Sequence, residues 1–214
     1  MIDCLLFDFD GTLFDTLEGI TKSVQYAVNK RGLNPALDSL RCFAGPPLVD
    51  MFRERYGFDR GEAEQLVRDF RERYVPIGVH ESRPFPEIRG MLEALRAAGR
   101  RIGIATSKPQ QLAEQLLQKE GLRGAFDAVC GSLEGGNNDA KWQVIERCLS
   151  ELGARPEEAV LIGDTKYDVL GAHRVGVACI GVRWGYAAPG ELEEAGTDAI
   201  VSDCRALLTL LLEQ

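Results

Sequence analysis

Two aspartates one residue apart, Asp8 and Asp10, close an apolar run near the start of the sequence, CLLFDFDGTLFDT over residues 4–16. So apolar a strand belongs in a core, where carboxylates are costly unless something compensates their charge. Three other apolar runs end the same way. Thr106 and Ser107 end RRIGIATS, Asp164 ends AVLIGD with Asp168 four residues on, and Lys141 follows FDAVCGS and the loop LEGGNNDA. Ligands of an open parallel sheet bind outside the carboxyl ends of its strands. If these runs are parallel strands, the four groups meet at one edge.

Four carboxylates gathered there repel one another unless a cation lies among them. Oxygen donors, with few nitrogens or sulfurs nearby, select Mg²⁺, which takes one or two carboxylates, several waters and a substrate phosphate. A hydroxyl from Thr106 or Ser107 and the Lys141 ammonium can grip phosphate oxygens. An aspartate beside the cation can attack phosphorus and form an aspartyl-phosphate. Another carboxyl, two residues on, can protonate the leaving oxygen and then deprotonate water. Gly11 lets the chain turn sharply and brings backbone N–H groups close to the phosphate.

The elements that must position these groups follow from the hydrophobic pattern. Strand signals at IDCLLFDF, RRIGIATS, FDAVCGS, EEAVLIGDT, VACIGVRWG and DAIVSD alternate with helix signals at PQQLAEQLLQKEGL, AKWQVIERCLSELG, YDVLGAHRVG and CRALLTLLLEQ. Near-continuous apolar strands alternating with helices predict an α/β protein with a parallel, Rossmann-like sheet covered on both faces. Residues 16–78 carry helical patterns only, so they read as an insertion bounded near Asp15 and at ESRPFPE, residues 81–87, where two prolines break any helix. The expected organisation is a catalytic core of residues 1–15 and 83–214 and a helical cap domain of residues 16–82.

Composition restricts the partners. The 214 residues are 45% hydrophobic and 27% charged with a net charge of −8, as in ordinary soluble domains. There is no Lys/Arg-rich run, which argues against nucleic acid and anionic membranes. Apolar runs are too short to span a bilayer, and the N-terminus lacks a secretory pattern, so a cytoplasmic location is expected. The six cysteines form no C-x-x-C pair and read as small buried thiols of a reducing compartment.

The ordered set DFDGT, ATS, a lone lysine before a helix, and GDTKYD resembles the four motifs of the haloacid dehalogenase superfamily over the whole chain, cap included. The resemblance implies that Asp8 is the nucleophile, Asp10 the general acid/base and Lys141 the charge-stabilising lysine. It makes Thr106 or Ser107 the phosphate-gripping hydroxyl. It places Mg²⁺ on the Asp8 carboxylate, the Asp10 backbone carbonyl and Asp164, with Asp168 assisting from behind these ligands or through Lys141. RCFAGPPL and GDTKYD…GVRWGY are similar to the phosphoglycolate phosphatase-like branch, although FPEIRG stands where the family usually has Pro-Gly before the LEALRAAG helix.

This reading implies a Mg²⁺-dependent phosphatase acting on a small phosphorylated metabolite, phosphoglycolate or a nucleoside monophosphate. A phosphomutase uses the same acid and remains an alternative. So does a receiver-like signalling protein, which also forms an aspartyl-phosphate but would release at most stoichiometric product from p-nitrophenyl phosphate. In the cap, Arg41 is the candidate for a second anionic group of the substrate and Phe43 for an apolar part, against the simpler reading of a solvated arginine and a core phenylalanine. Asp15, Thr16 and Glu18 read as a helix start. His80 and His173 have no evident chemical partner.

Overall fold

The computed structural model describes residues 2–133 and 140–213. The helical segments follow their sequence signals. α1 (Leu17–Asn29) begins where the Asp15 carboxylate accepts from the Leu17 N–H at 3.3 Å. α2 (Leu48–Tyr56) starts after Pro47, and α3 (Arg60–Tyr74) opens on a capping box between Asp59 and Glu62. α4 (Ile88–Ala97), α5 (Gln110–Lys119), α6 (Lys141–Leu152), α7 (Lys166–Val175), α8 (Glu191–Glu194) and α9 (Cys204–Glu213) lie in the second half. α6 and α7 end on Gly153 and Gly176 in the left-handed region, the usual helix stop.

The strands are β1 (Cys4–Phe7), β2 (Phe14–Asp15), β3 (Arg83–Pro84), β4 (Arg101–Pro109), β5 (Ala128–Ser132), β6 (Ala159–Gly163), β7 (Ala178–Val182) and β8 (Ala199–Val201). Six form one parallel sheet in the order β5-β4-β1-β6-β7-β8. Taken in chain order, this is the Rossmann order, which reverses between β1 and β6. The pairs β2 and β3 form a separate two-stranded sheet that the sequence did not signal. On one face Cys4, Leu6, Cys130, Leu161 and Cys179 pack with Val144, Ile145, Cys148, Val169 and Ala172 of α6 and α7. Leu5 and Phe7 alternate to the other face and are equally buried, so both faces are covered.

The chain divides into two compact units, Met1–Phe14 with Pro84–Gln214, and Asp15–Arg83. The first holds the sheet; the other holds α1, α2 and α3. Five of the six cysteines are buried free thiols, but Cys42 is exposed, because it lies on a short surface 3-10 helix rather than in a strand. Among the described residues no helix is long and apolar enough to cross a membrane. Among the described non-glycine residues, one backbone position is under strain. Glu87 has φ +70°, the left-handed conformation that glycine tolerates, and it stands in the FPEIRG segment just before α4.

Candidate active site

β1 pairs on one side with β4, Phe7 opposite Ile104, and on the other with β6, Phe7 opposite Ile162. The Asp8 N–H continues the ladder, donating to the Ile162 carbonyl at 2.8 Å. Asp8 therefore emerges at the strand-order reversal, with Thr106 two residues past Ile104 and Asp164 two past Ile162. Beyond Asp8 the chain folds back on itself. The Leu13 and Phe14 N–H groups both donate to the Phe9 carbonyl at 3.0 Å, and the Phe9 ring stacks on Phe14 at 4.4 Å between centroids. Gly11 makes this possible twice over. Its φ is +86°, and a Cβ there would stand 2.2 Å from Asp164 Oδ2.

The charges lock together beneath this turn. Lys141, the first residue of α6, is buried, and its Nζ donates to Asp8 Oδ1 at 2.5 Å and pairs with Asp168 Oδ1 at 2.6 Å. Asp168 uses Oδ2 to accept from the Thr165 N–H at 3.0 Å and hydroxyl at 2.9 Å, capping α7. Asp164 is held by neutral donors. The Thr12 hydroxyl donates to Oδ1 at 3.1 Å and the Tyr186 N–H to Oδ2 at 2.8 Å. The Trp184 indole N–H fixes the same turn through the Thr12 carbonyl at 3.0 Å.

Burial pushes the Asp8 carboxyl up to about 6, with the neighbouring Asp168 and Asp10 adding to the rise and Lys141 opposing it. Burial also pushes Asp164 well above the carboxylate range, with Asp168 and Asp8 adding to it. Burial works to lower Lys141, but Asp168 and Asp8 outweigh it and hold the ammonium charged. Asp8, Asp164 and Asp168 each offer a carboxylate oxygen within 4.8 Å of the others. With all four ionised, Asp8, Asp10, Asp164 and Asp168 would set four negative charges against the two positive charges of Lys108 and Lys141. The excess of two matches one divalent cation, and the all-oxygen donors match a hard one such as Mg²⁺. The residues present fit that ion.

The structure brings Asp8, Asp10, Gly11, Thr106, Lys141, Asp164 and Asp168 into the sheet-bearing unit around one edge. Thr106 is buried, and its Oγ1 accepts from the Lys108 N–H at 3.1 Å; Ser107 is exposed. Arg41 is exposed on the 3-10 helix Leu37–Phe43 of the helical unit. Phe43 is 1% exposed and packs on Phe52, ring centroids 5.0 Å apart, which makes it core in that unit rather than a reader of substrate. The loop before Lys141 falls largely outside the described residues. His173 has a partner after all, Asp198 at 2.8 Å. Sequence reasoning passed over Lys108, whose Nζ donates to Asp10 Oδ1 at 2.9 Å, and Thr12. Lys108 had one available signal, a lysine two residues past a buried strand residue; Thr12 had its place directly after Gly11.

Residues 5–182 match the family model of the haloacid dehalogenase-like hydrolases. A 5′-nucleotidase of Pseudomonas aeruginosa is 40% identical over 97% of this chain and 94% of its own. The tyrosine-protein kinase PtkA of Mycobacterium tuberculosis is 32% identical over 92% of this chain and 67% of its own. A phosphoglycolate phosphatase of Aquifex aeolicus is 29% identical over 85% of each chain. Among solved structures, a predicted phosphatase from Clostridium acetobutylicum superposes with a TM-score of 0.96 at 37% identity, covering all of both chains.

Proposed function

The chain belongs to the haloacid dehalogenase-like hydrolase family as a phosphatase, and from that premise we propose that it hydrolyses small phosphorylated metabolites with Mg²⁺ through an aspartyl-phosphate on Asp8. Nucleoside monophosphates are the first substrate class and phosphoglycolate the next, in the order of similarity to the relatives so named. One observation carries the reading. A buried aspartate stands at the strand-order reversal with a buried lysine on one of its oxygens and a more open carboxyl two residues on.

Each residue has a task. Lys141 on Oδ1 fixes the rotation of the Asp8 carboxylate, and an Asp8 oxygen attacks phosphorus. Asp10 protonates the leaving oxygen and then takes a proton from the attacking water. The Thr106 hydroxyl can donate to a phosphoryl oxygen while its oxygen lone pair accepts from the Lys108 N–H, and the Lys141 ammonium faces the same charge. Asp8, Asp164 and the Asp10 carbonyl would hold the Mg²⁺, which when bound neutralises phosphoryl oxygens and favours their approach by a carboxylate. Asp168 orients Lys141. The helical unit acts as the cap that chooses among leaving groups, with Arg41 the residue for a second anionic group.

The test is turnover of a panel of phosphate monoesters with Mg²⁺, following inorganic phosphate. Catalytic release from nucleoside monophosphates, lost on chelation and restored by Mg²⁺, is expected. Mg²⁺ should also raise the melting temperature of the wild type and not that of Asp164→Ala. A phosphomutase would instead move the phosphoryl group within its substrate without net phosphate release, and a receiver-like protein would stop at one equivalent.

A further inference from the structure

Lys108 is a buried charge that none of the tasks above employs. Its side chain is 2% exposed, while that of its partner Asp10 is 19% exposed. A buried ammonium needs a carboxylate close by, and here the Nζ donates to Asp10 Oδ1 at 2.9 Å across 98 residues of sequence. The same Nζ lies 5.4 Å from the centroid of the Phe9 ring, which is itself clamped against Phe14. The backbone of Lys108 is tied down as well, its N–H donating to the Thr106 hydroxyl. Asp10 is thus held at Oδ1 by a buried cation, while its side chain keeps some exposure.

We infer that Lys108 is the positioning residue of Asp10: it holds Oδ1, so that Oδ2 is the oxygen that carries the proton. The inference rests on the proposed role of Asp10. As an Asp8 oxygen bonds to phosphorus, the bond from phosphorus to the leaving oxygen breaks, and that oxygen takes the proton from Asp10. The Asp10 carboxylate so formed already faces the Lys108 ammonium. Water then gives a proton to Asp10 as its oxygen bonds to phosphorus, the bond to Asp8 breaks, and inorganic phosphate leaves. Without Lys108 the Asp10 side chain is free to rotate, and the near-attack geometry that proton transfer requires is lost.

The consequence is specific to leaving groups that need a proton. We would measure kcat/KM, which reports only the steps up to leaving-group release, with 2,4-dinitrophenyl, p-nitrophenyl and phenyl phosphate, using the Mg²⁺-loaded enzyme. Dinitrophenolate departs unaided and phenolate does not. Lys108→Met should lose about 30-fold or more on phenyl phosphate, within the range of a general acid's worth, and less than about threefold on the dinitrophenyl ester. Lys108→Arg should recover part of the loss. In an Asp10→Asn background, Lys108→Met should add little, since the two act as one. Equal loss on all three esters would overturn the inference in favour of a direct phosphate contact. No loss on any would make the pair purely structural. If Lys108→Met does not fold, Lys108→Arg decides: a loss that grows from the dinitrophenyl to the phenyl ester is expected, and an equal loss on all three esters or none on any overturns the inference. Asp10→Asn separates the two levels. A flat loss there would overturn Asp10 as the acid, whereas a steep one beside a flat Lys108→Met would overturn Lys108 alone.

Discussion

Both units of the molecule contain linked carboxylates and cations, and they use them in opposite ways. In the sheet-bearing unit, Lys141 joins Asp8 and Asp168 with all three groups buried. In the helical unit, Arg73 makes a two-pronged pair with Glu81, and Lys22 reaches both Glu81 and Glu18. The Arg73 and Glu81 side chains keep 18% and 20% exposure, and Glu18 keeps 61%. This part-buried network tightens the packing of helices; water reaches it, and each pair contributes less than a fully buried one. The buried cluster is expensive to assemble and holds its carboxylates where they are least comfortable. Arg73 holds Glu81 below its ordinary range despite burial, whereas burial pushes Asp8 up to about 6. Stabilised charge braces a fold, and destabilised charge is ready for a cation and a substrate.

The comparison is broken most severely at Asp8. Asp8→Asn should cut turnover by more than about 10³-fold, because an amide is a poor nucleophile, while circular dichroism and melting show a folded protein. Substantial residual turnover in a preparation free of wild-type enzyme would remove Asp8 from the mechanism. Lys141→Met leaves Asp8 and Asp168 buried without their cation. Its unfolding free energy should drop by about 3–5 kcal/mol, and Mg²⁺ should recover part of the loss; a drop below about 1 kcal/mol would mean that the cluster is not buried as described.

pH separates the two units by sign. The folded-state pKa of Asp8 lies above its unfolded value, so between about pH 4 and pH 6 the native state binds more protons and stability falls as pH rises. For Asp8 alone the fall is at most about 3 kcal/mol. Glu81 is depressed, so its contribution is present above the unfolded glutamate pKa and is lost as pH falls through the lower folded value. Denaturant melts in EDTA should therefore show a shallower decline between pH 4 and 6 for Asp8→Asn, with the part due to the raised Asp164 remaining, and Glu81→Gln leaving the decline in place. The reverse pattern would refute the contrast.

Smaller effects are expected in the helical unit. Arg41→Ala should lower kcat/KM on a nucleoside monophosphate about tenfold, or roughly 1.4 kcal/mol, and change p-nitrophenyl phosphate far less. An equal loss on both would make Arg41 a support of the fold. Arg73→Met should cost no more than about 1 kcal/mol of stability, and turnover of p-nitrophenyl phosphate should stay within twofold; a loss like that of Lys141→Met would erase the distinction between the two networks.

Local rules made most of the architecture readable in the chain. Apolar runs alternating with amphipathic ones specify strands and helices, and glycine after Leu152 and Val175 stops two helices because a left-handed residue ends the ladder. Carboxylates at the end of an apolar strand announced a charged site, since nothing else justifies their placement. Sequence separation hid the rest. Thr106 and Ser107 are equivalent as a string, and only the packing around the end of β4 shows which of the two alternating positions is buried. The Thr12 hydroxyl reaches Asp164 across 152 residues and Lys108 reaches Asp10 across 98, distances at which no periodicity operates. The sequence leaves Phe43 as either core or a reader of substrate, and Phe52 packed against it makes it core. The sequence by itself determined which groups would stand at the carboxyl ends of the strands, because side-chain chemistry and hydrophobic period are local. The tertiary structure alone decided which of those groups share a hydrogen bond and how far each is desolvated, because both depend on atoms contributed by distant strands.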